Sequence, residues 1–300
     1  MNDHSAVSLA KTLSPIGLGC VTFGREIDRK AAFVMMDHAW SRGVNLFDTA
    51  SAYGDGASEK IIGKWLATRR PSDNSLLIAT KILPPYTPSA IRRSVDQSLK
   101  RLGVSAIDIL YLHRWDPEIA SASALETLHQ LVQEGKLRML GASNFSAAQL
   151  SRVLQEQMQQ GLTCFRAIQN NHNLAVSDLT DEIREICLQH KIVMVTYSPL
   201  GAGFLTGKYR EGIPPDTRFS LIPGHQPLYF NERAFHRLTR LQAVASRTGY
   251  SPVYLALAWT LHQPGVTSVL VGGRSVDQLE QAFSALAFND PDIFSELDAI

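Results

Sequence analysis

Eight short apolar runs recur along the chain: Ile16–Cys20, Val44–Asp48, Leu76–Lys81, Ile107–His113, Leu137–Gly141, Cys164–Gln169, Ile192–Tyr197 and Thr267–Val271. Most are apolar throughout rather than alternating, the pattern of strands buried on both faces. Between them apolar positions fall at helical spacing. Ile91, Val95, Leu99 and Leu102 share one face, and Leu125, Leu128, Leu131 and Val132 share another. Helix starts are marked as well. Ser123 with Glu126, and Ser146 with Gln149, read as capping boxes, and Ser251-Pro252 reads as an N-cap followed by proline at the first helical position.

Strands alternating with helices imply parallel pairing through right-handed crossovers. An open doubly wound sheet and a closed barrel both satisfy that pattern. An open dinucleotide-binding sheet calls for G-x-G-x-x-G where the first helix begins, and Gly17-Leu18-Gly19 followed by Gly24 has the wrong spacing. No Walker A, G-x-S-x-G or H-E-x-x-H motif occurs. The expectation is an α/β fold, one (β/α)8 TIM barrel over residues 1–300, with Met35, Met36 and Trp40 on a helix face packed against it. A long insertion separates strands 7 and 8, because Ser198–Val266 is roughly twice an ordinary βα unit. In a barrel such a loop lies over the C-terminal face.

Composition adds exclusions. With 45% hydrophobic and 19% charged residues the chain can bury a large core. Lys+Arg 29 against Asp+Glu 28 leaves a net charge of +1, so nothing draws it to nucleic acid or to an anionic membrane. Cys20, Cys164 and Cys187 make neither a disulfide framework nor a zinc spacing, which points to a reducing compartment and no metal. The N-terminus lacks a signal-peptide pattern and no run approaches 18 apolar residues. A cytoplasmic protein that needs no oligomeric partner is expected.

Chemistry gathers at the strand ends. Asp48 closes the second run, Lys81 the third and His113 the fourth, 33 and 32 residues apart, close to one barrel unit each. Tyr53 stands in the small-residue loop after Asp48. A phenol near pKa 10 is a poor acid unless a cation lowers its pKa, which Lys81 is placed to do. Asp48 is placed to keep Lys81 charged, and His113 to hold a carbonyl oxygen facing Tyr53. A carbonyl protonated on oxygen needs a hydride on carbon, which no side chain donates and a nicotinamide can. Ser143-Asn144 and Gln169 offer groups for a carboxamide, and Tyr197 offers a flat face. Gly272-Gly273-Arg274-Ser275 before a helix reads as a phosphate site.

These stretches, GVNLFDTASAYGDGASEKIIG, IATK, LYLHRWDP, GASNFS, YSPLGAGFLTGKY and VGGRSVDQLE, resemble the aldo-keto reductases from Ile16 to about Leu286. The resemblance implies a barrel with extended NADP(H) and reversible reduction of a small aldehyde or ketone. It implies a tetrad of Asp48, Tyr53, Lys81 and His113, with Tyr53 as general acid. It also implies that Ser143, Asn144 and Gln169 hold the carboxamide and that Tyr197 stacks on the ring. Ser198, Leu200, Gly203, Leu205 and Lys208 would follow the pyrophosphate; Arg274, Ser275 and Gln278 would meet the 2′-phosphate region. Ser275 and Gln278 also fit a capping box. Where the family often has a Glu-Asn pair against adenine, this chain has Gln281 and Ala282. Phe23, Tyr86, Arg114 and Trp115 are candidates for the substrate pocket, which the loop 212–231 would close. Two other readings are a cofactor-binding regulatory subunit with slow turnover, which the resemblance includes, and a Schiff-base aldolase through Lys81.

Overall fold

The structure, a computed structural model, describes residues 13–71 and 75–300. The N-terminal segment read above for a signal sequence lies outside them up to residue 12. Eight strands, β1 (Ile16–Gly19), β2 (Leu46–Asp48), β3 (Leu77–Ile82), β4 (Ile107–Leu112), β5 (Leu137–Ser143), β6 (Ala167–Asn171), β7 (Val193–Tyr197) and β8 (Val266–Val271), pair in chain order into a closed barrel. Every pairing is parallel, and β1 meets β8 from Ile16↔Val269 to Leu18↔Val271. The expected (β/α)8 barrel is the fold. Among the described residues no helix is long and apolar enough to cross a membrane.

The sixth run is where pattern and pairing part. Cys164, Phe165 and Arg166 precede the ladder, yet Phe165 is fully buried and its N–H donates to Gln157 Oε1 at 3.0 Å. An apolar run reports burial, and burial there begins before strand pairing does.

Side chains on a strand alternate between faces, so residues two apart share a face. Leu46, Ala79, Ile109, Tyr111, Met139, Ala167, Val193, Val195 and Leu270 pack together as a cluster of their own inside the barrel. Their neighbours Phe47, Ile78, Leu110, Leu140, Ile168 and Val269 belong instead to the larger core shared with the surrounding helices. One step of two beyond the interior positions gives Asp48, Lys81, His113, Gln169 and Tyr197. All five therefore face the barrel axis at its C-terminal rim.

Most helix starts follow the sequence. Ser146 and Gln149 form a complete capping box, and Ser251 Oγ accepts from Tyr254 N at 3.1 Å. The helix Ala122–Gln133 is capped by Ser121 rather than Ser123, because the 3₁₀ turn Pro117–Ala120 delivers the chain two residues earlier. Within the insertion lie the turn Gly201–Thr206, the short helices Arg218–Leu221 and Gln226–Tyr229, and the helices Glu232–Thr248 and Pro252–Leu261. Phe204, Tyr209, Phe219, Tyr229, Phe230 and Phe235 interlock with ring centroids 4.9 to 6.0 Å apart, mostly edge to face. That aromatic cluster pins the excursion 212–231 against the barrel mouth.

The helix Ala57–Arg69, which follows the Tyr53 loop, approaches the end of the helix Pro88–Leu102 closely at Gly63. A Cβ there would stand 2.5 Å from Arg101 O and 2.7 Å from Leu102 O. Gly63→Ala should force the two backbones apart and cost about 1–3 kcal/mol, typical of overpacking. A lowered denaturation midpoint with an unchanged m-value is expected; an unchanged midpoint would show that the helices do not meet there.

Candidate active site

Lys81 is the centre of the rim. Its side chain is 1% exposed, and an ammonium has three protons to place. One goes to Asp48 Oδ1, a second to Thr49 O at 2.9 Å, and the third to the Tyr53 hydroxyl at 3.3 Å. Asp48 is also held on its other oxygen, where Gln169 Nε2 donates at 2.8 Å. Thr49 is fixed in turn, since its Oγ1 donates to Ser58 Oγ at 2.8 Å and Ser58 donates to Cys20 O at 2.8 Å. The loop carrying Tyr53 bends back through Tyr53 N to Ala50 O at 3.0 Å. It enters the next helix at Gly56, where φ is +79° and the Arg101 side chain occupies the space a Cβ would take.

His113 stands immediately after β4, with its ring edge-on to Tyr53 at 5.9 Å between centroids. Its Nδ1 is buried without a hydrogen-bond partner among the described residues. Burial, reinforced by the charges of Lys81 and Arg114, pushes the imidazole pKa down to about 3. The ring is therefore neutral at ordinary pH.

Burial works against the Lys81 charge, but Asp48 and Tyr53 outweigh it and hold the pKa above its usual value. Burial lifts the Asp48 carboxyl, with Lys81 and the hydrogen bonds from Lys81 and Gln169 pulling the other way. Tyr53 corrects an expectation. Lys81 does act to lower its pKa, but burial is the larger effect and the phenol ends above its ordinary value.

The carboxamide candidates turn out to be tied to the protein. Asn144 adopts φ +59°, and its backbone N–H is held by Asn170 Oδ1 at 3.0 Å and Gln169 O at 3.1 Å. Its side chain donates to His113 O at 2.9 Å and Ser143 Oγ at 3.1 Å, and accepts from the Tyr197 hydroxyl at 2.6 Å. Asn144 thus locks the ends of β4, β5 and β7 together and anchors the Tyr197 hydroxyl. The Gln169 amide nitrogen is directed at Asp48. Asn170, which the sequence reading passed over, holds this corner together. No periodicity marks it, and its side-chain partners lie 8, 25 and 26 residues away.

The strap after Tyr197 is turned by Ser198 and Gly201 at φ +57° and +58°. Leu200 O accepts from Gly203 N at 3.0 Å and Leu205 N at 3.1 Å, and the Lys208 ammonium lies across Gly203. Leu205 itself is fully buried. After β8, Gly272 lies against Gly19, whose carbonyl oxygen would be 2.8 Å from a Cβ, so the residue must be glycine. Arg274 and Ser275 are exposed. The capping box expected of Ser275 and Gln278 does not form. Gln278 Oε1 accepts instead from Arg274 N at 2.7 Å, and Ser275 makes no side-chain cap. The first-turn N–H groups of the helix Val276–Leu286 are left without a Ser275 cap. In that helix Gln281 is exposed and Ala282 fully buried.

Among the substrate-pocket candidates, Phe23 and Tyr86 are fully enclosed. Tyr86 braces the loop after β4, its hydroxyl donating to Arg114 O at 2.9 Å. Trp115 packs edge-on to Phe145 at 5.3 Å, and the Arg114 side chain is exposed. A residue the sequence did not suggest, Arg218, arrives from the excursion. It pairs with Glu26 at 3.4 Å and lies near enough to Tyr53 to help lower the phenol's pKa.

Curated relatives extend across this whole framework. A protein from Schizosaccharomyces pombe called putative voltage-gated potassium channel subunit beta is 29% identical over 94% of this chain and 88% of its own. Protein tas of Escherichia coli is 28% identical over 100% of this chain and 97% of its own. Norsolorinic acid reductase B of Aspergillus parasiticus is 31% identical over 89% of this chain and 75% of its own. Residues 15–300 match the Aldo/keto reductase family, and the protein belongs to that family of oxidoreductases acting on carbonyl groups.

Proposed function

We propose that the protein reduces an aldehyde or ketone to the alcohol with NADPH, reversibly, with Tyr53 as general acid. The observation that carries this reading is the Lys81 ammonium, buried and shared among Asp48, the Thr49 carbonyl and the Tyr53 hydroxyl. A substrate oxygen seated between Tyr53 and the His113 ring takes its proton from the phenol. The phenolate that develops is stabilised by Lys81, which Asp48 and Thr49 keep charged. Neutral His113 orients the same oxygen by a hydrogen bond without competing as an acid. When bound, the nicotinamide supplies the hydride that none of these side chains can.

The residues present suit such a cofactor. The Tyr197 ring is anchored through its hydroxyl and offers a face, with Ser143, Asn144 and Gln169 beside it at the rim. The glycines of the strap and of the loop after β8 keep backbone open for a diphosphate along Ser198, Leu200, Gly203, Leu205 and Lys208. Arg274 beside a helix start that Ser275 leaves uncapped is suited to a 2′-phosphate. Gln278 would shape that turn through its bond to Arg274 N rather than meet the phosphate. Lys81 is a poor Schiff-base nucleophile, since all three of its protons are engaged and its charge is held. The relative named as a channel subunit marks the rival reading, a cofactor-binding regulatory protein. Steady-state oxidation of NADPH with a carbonyl panel separates the two.

Tyr53→Phe should lower turnover roughly 10²- to 10⁴-fold, the contribution of a positioned general acid. Its NADPH affinity by fluorescence titration should match wild type; wild-type turnover would remove Tyr53 from the role. Arg274→Ala should weaken NADPH binding by about tenfold or more through a lost charge-assisted contact, and leave NADH nearly unaffected. An equal loss for both cofactors would place the 2′-phosphate elsewhere.

His113 also makes a pH prediction. Its folded pKa of about 3 lies below the ordinary value of 6.5, so the unfolded chain takes up a proton that the folded ring refuses. Its contribution to stability is complete above the unfolded pKa and falls as pH drops from 6.5 towards 3. Between those limits it should remove about 1.4 kcal/mol per pH unit, a dependence that His113→Gln should abolish. Denaturant melts of both proteins at pH 6.0 and 4.5 test this. Parallel losses in the two would show that His113 is not held neutral.

A further inference from the structure

We infer that Tyr229, in the excursion between β7 and β8, is a positioning residue for the strap that follows Tyr197. The inference rests on reading that strap as the dinucleotide site. Tyr229 is 2% exposed. Its hydroxyl accepts from Asn171 Nδ2 at 3.0 Å. Asn171 Oδ1 accepts from Asn173 Nδ2 at 3.0 Å, and Asn173 Nδ2 also donates to Ser198 O at 2.9 Å. A continuous polar chain therefore runs from the excursion, through two buried asparagines of the β6 end, to the first residue of the strap.

Ser198 needs such support. Its φ of +57° is costly for a residue with a Cβ and persists only where the surroundings fix it. Its carbonyl has two donors, Asn173 Nδ2 and Gly201 N, the latter at 2.8 Å. Tyr229 acts on the other end of the same turn as well. Its Cε1 would stand 2.8 Å from a Cβ at Gly201, and its ring lies 5.7 Å from that of Phe204. The hydroxyl sets Ser198 through the asparagines while the ring sets Gly201 by contact. Asn173 Oδ1 accepts from Ala175 N and Val176 N at 3.0 Å each, and its Nδ2 also reaches the Tyr229 hydroxyl at 3.4 Å. Without the hydroxyl, the Asn171 amide loses its partner and the Asn173 amide loses one of its acceptors. Ser198 O then depends on its own turn and on an Asn173 amide that has lost the Tyr229 contact. The excursion and the strap behave as one unit, and cofactor affinity depends on a residue that touches no cofactor.

Tyr229→Phe keeps the ring and removes only the hydroxyl. Its Kd for NADPH, from fluorescence titration, should rise about tenfold with a parallel rise in KM for NADPH, while kcat at saturating NADPH stays within about twofold. Hydrogen exchange of the amides 198–206, measured without NADPH, should quicken in the variant. A lowered melting temperature with unchanged Kd and unchanged exchange in that segment would overturn the inference, since it is what a purely structural tyrosine gives. Should Tyr229→Phe lose its cooperative melt, Gly201→Ala takes its place, setting a methyl against the Tyr229 ring. Weakened NADPH binding is expected there too, and wild-type affinity would overturn the inference. Wild-type protein that binds no NADPH would be a different failure: it would sink the reading of the strap itself.

Discussion

A charged lysine inside a barrel is the constraint on which the rest of this site depends. Removing an ammonium from water costs several kcal/mol even after the protein relaxes, and that cost is offset only if every proton meets an acceptor in good geometry. Lys81 meets a carboxylate, a backbone carbonyl and a phenol. Each comes from a different place: the end of β2, the residue after it, and the loop beyond. The charge is tolerable only if those three are held still. Much of the surrounding polar structure does that holding, through Thr49, Ser58 and Cys20 on one side and Gln169 on the other.

Barrel closure makes such a convergence possible. Parallel strands in chain order present their C-terminal ends on one rim, and the two-residue period decides which of those ends look inward. Asp48, Lys81, His113, Gln169 and Tyr197 share the parity of the interior cluster. A one-residue slip in any strand would turn its contribution out towards the helices. The unbroken apolar lining below the rim therefore has a second role besides stability. It fixes the register that aims the polar residues above it.

That logic explains what the sequence could reveal. Strand ends 33 and 32 residues apart are legible because the spacing follows from local geometry repeated around a barrel. Asn170, Asn171, Asn173 and Tyr229 were not legible. The contacts that tie them to the rest of the site are set by tertiary approach, and the Asn171 to Tyr229 bond spans 58 residues with no motif at either end. Gln169 was recognised as a site residue, but its bond to Asp48, across 121 residues, could not be inferred. Arg218 sits in the excursion, where aromatic packing rather than a period dictates the path. Ser123 was misread as a cap for a local reason, since one turn of 3₁₀ helix upstream shifts the start and residue types do not announce it.

The Tyr53 electrostatics separate two tasks that a simple account merges. A cation beside a phenol suggests a lowered resting pKa, yet here burial prevails and the phenol stays protonated. For the general acid proposed above that would be an advantage, because the proton is present whenever substrate arrives. In that proposed role Lys81 would have its largest effect later, when the proton leaves and negative charge appears on an oxygen 3.3 Å from its ammonium. In an environment dry enough to raise the resting pKa, that attraction is also less screened than it would be in water. Burial and cation thus act at different moments on one atom. Because the interaction grows only as charge develops, it would lower the barrier of the proposed reaction more than it alters the resting state.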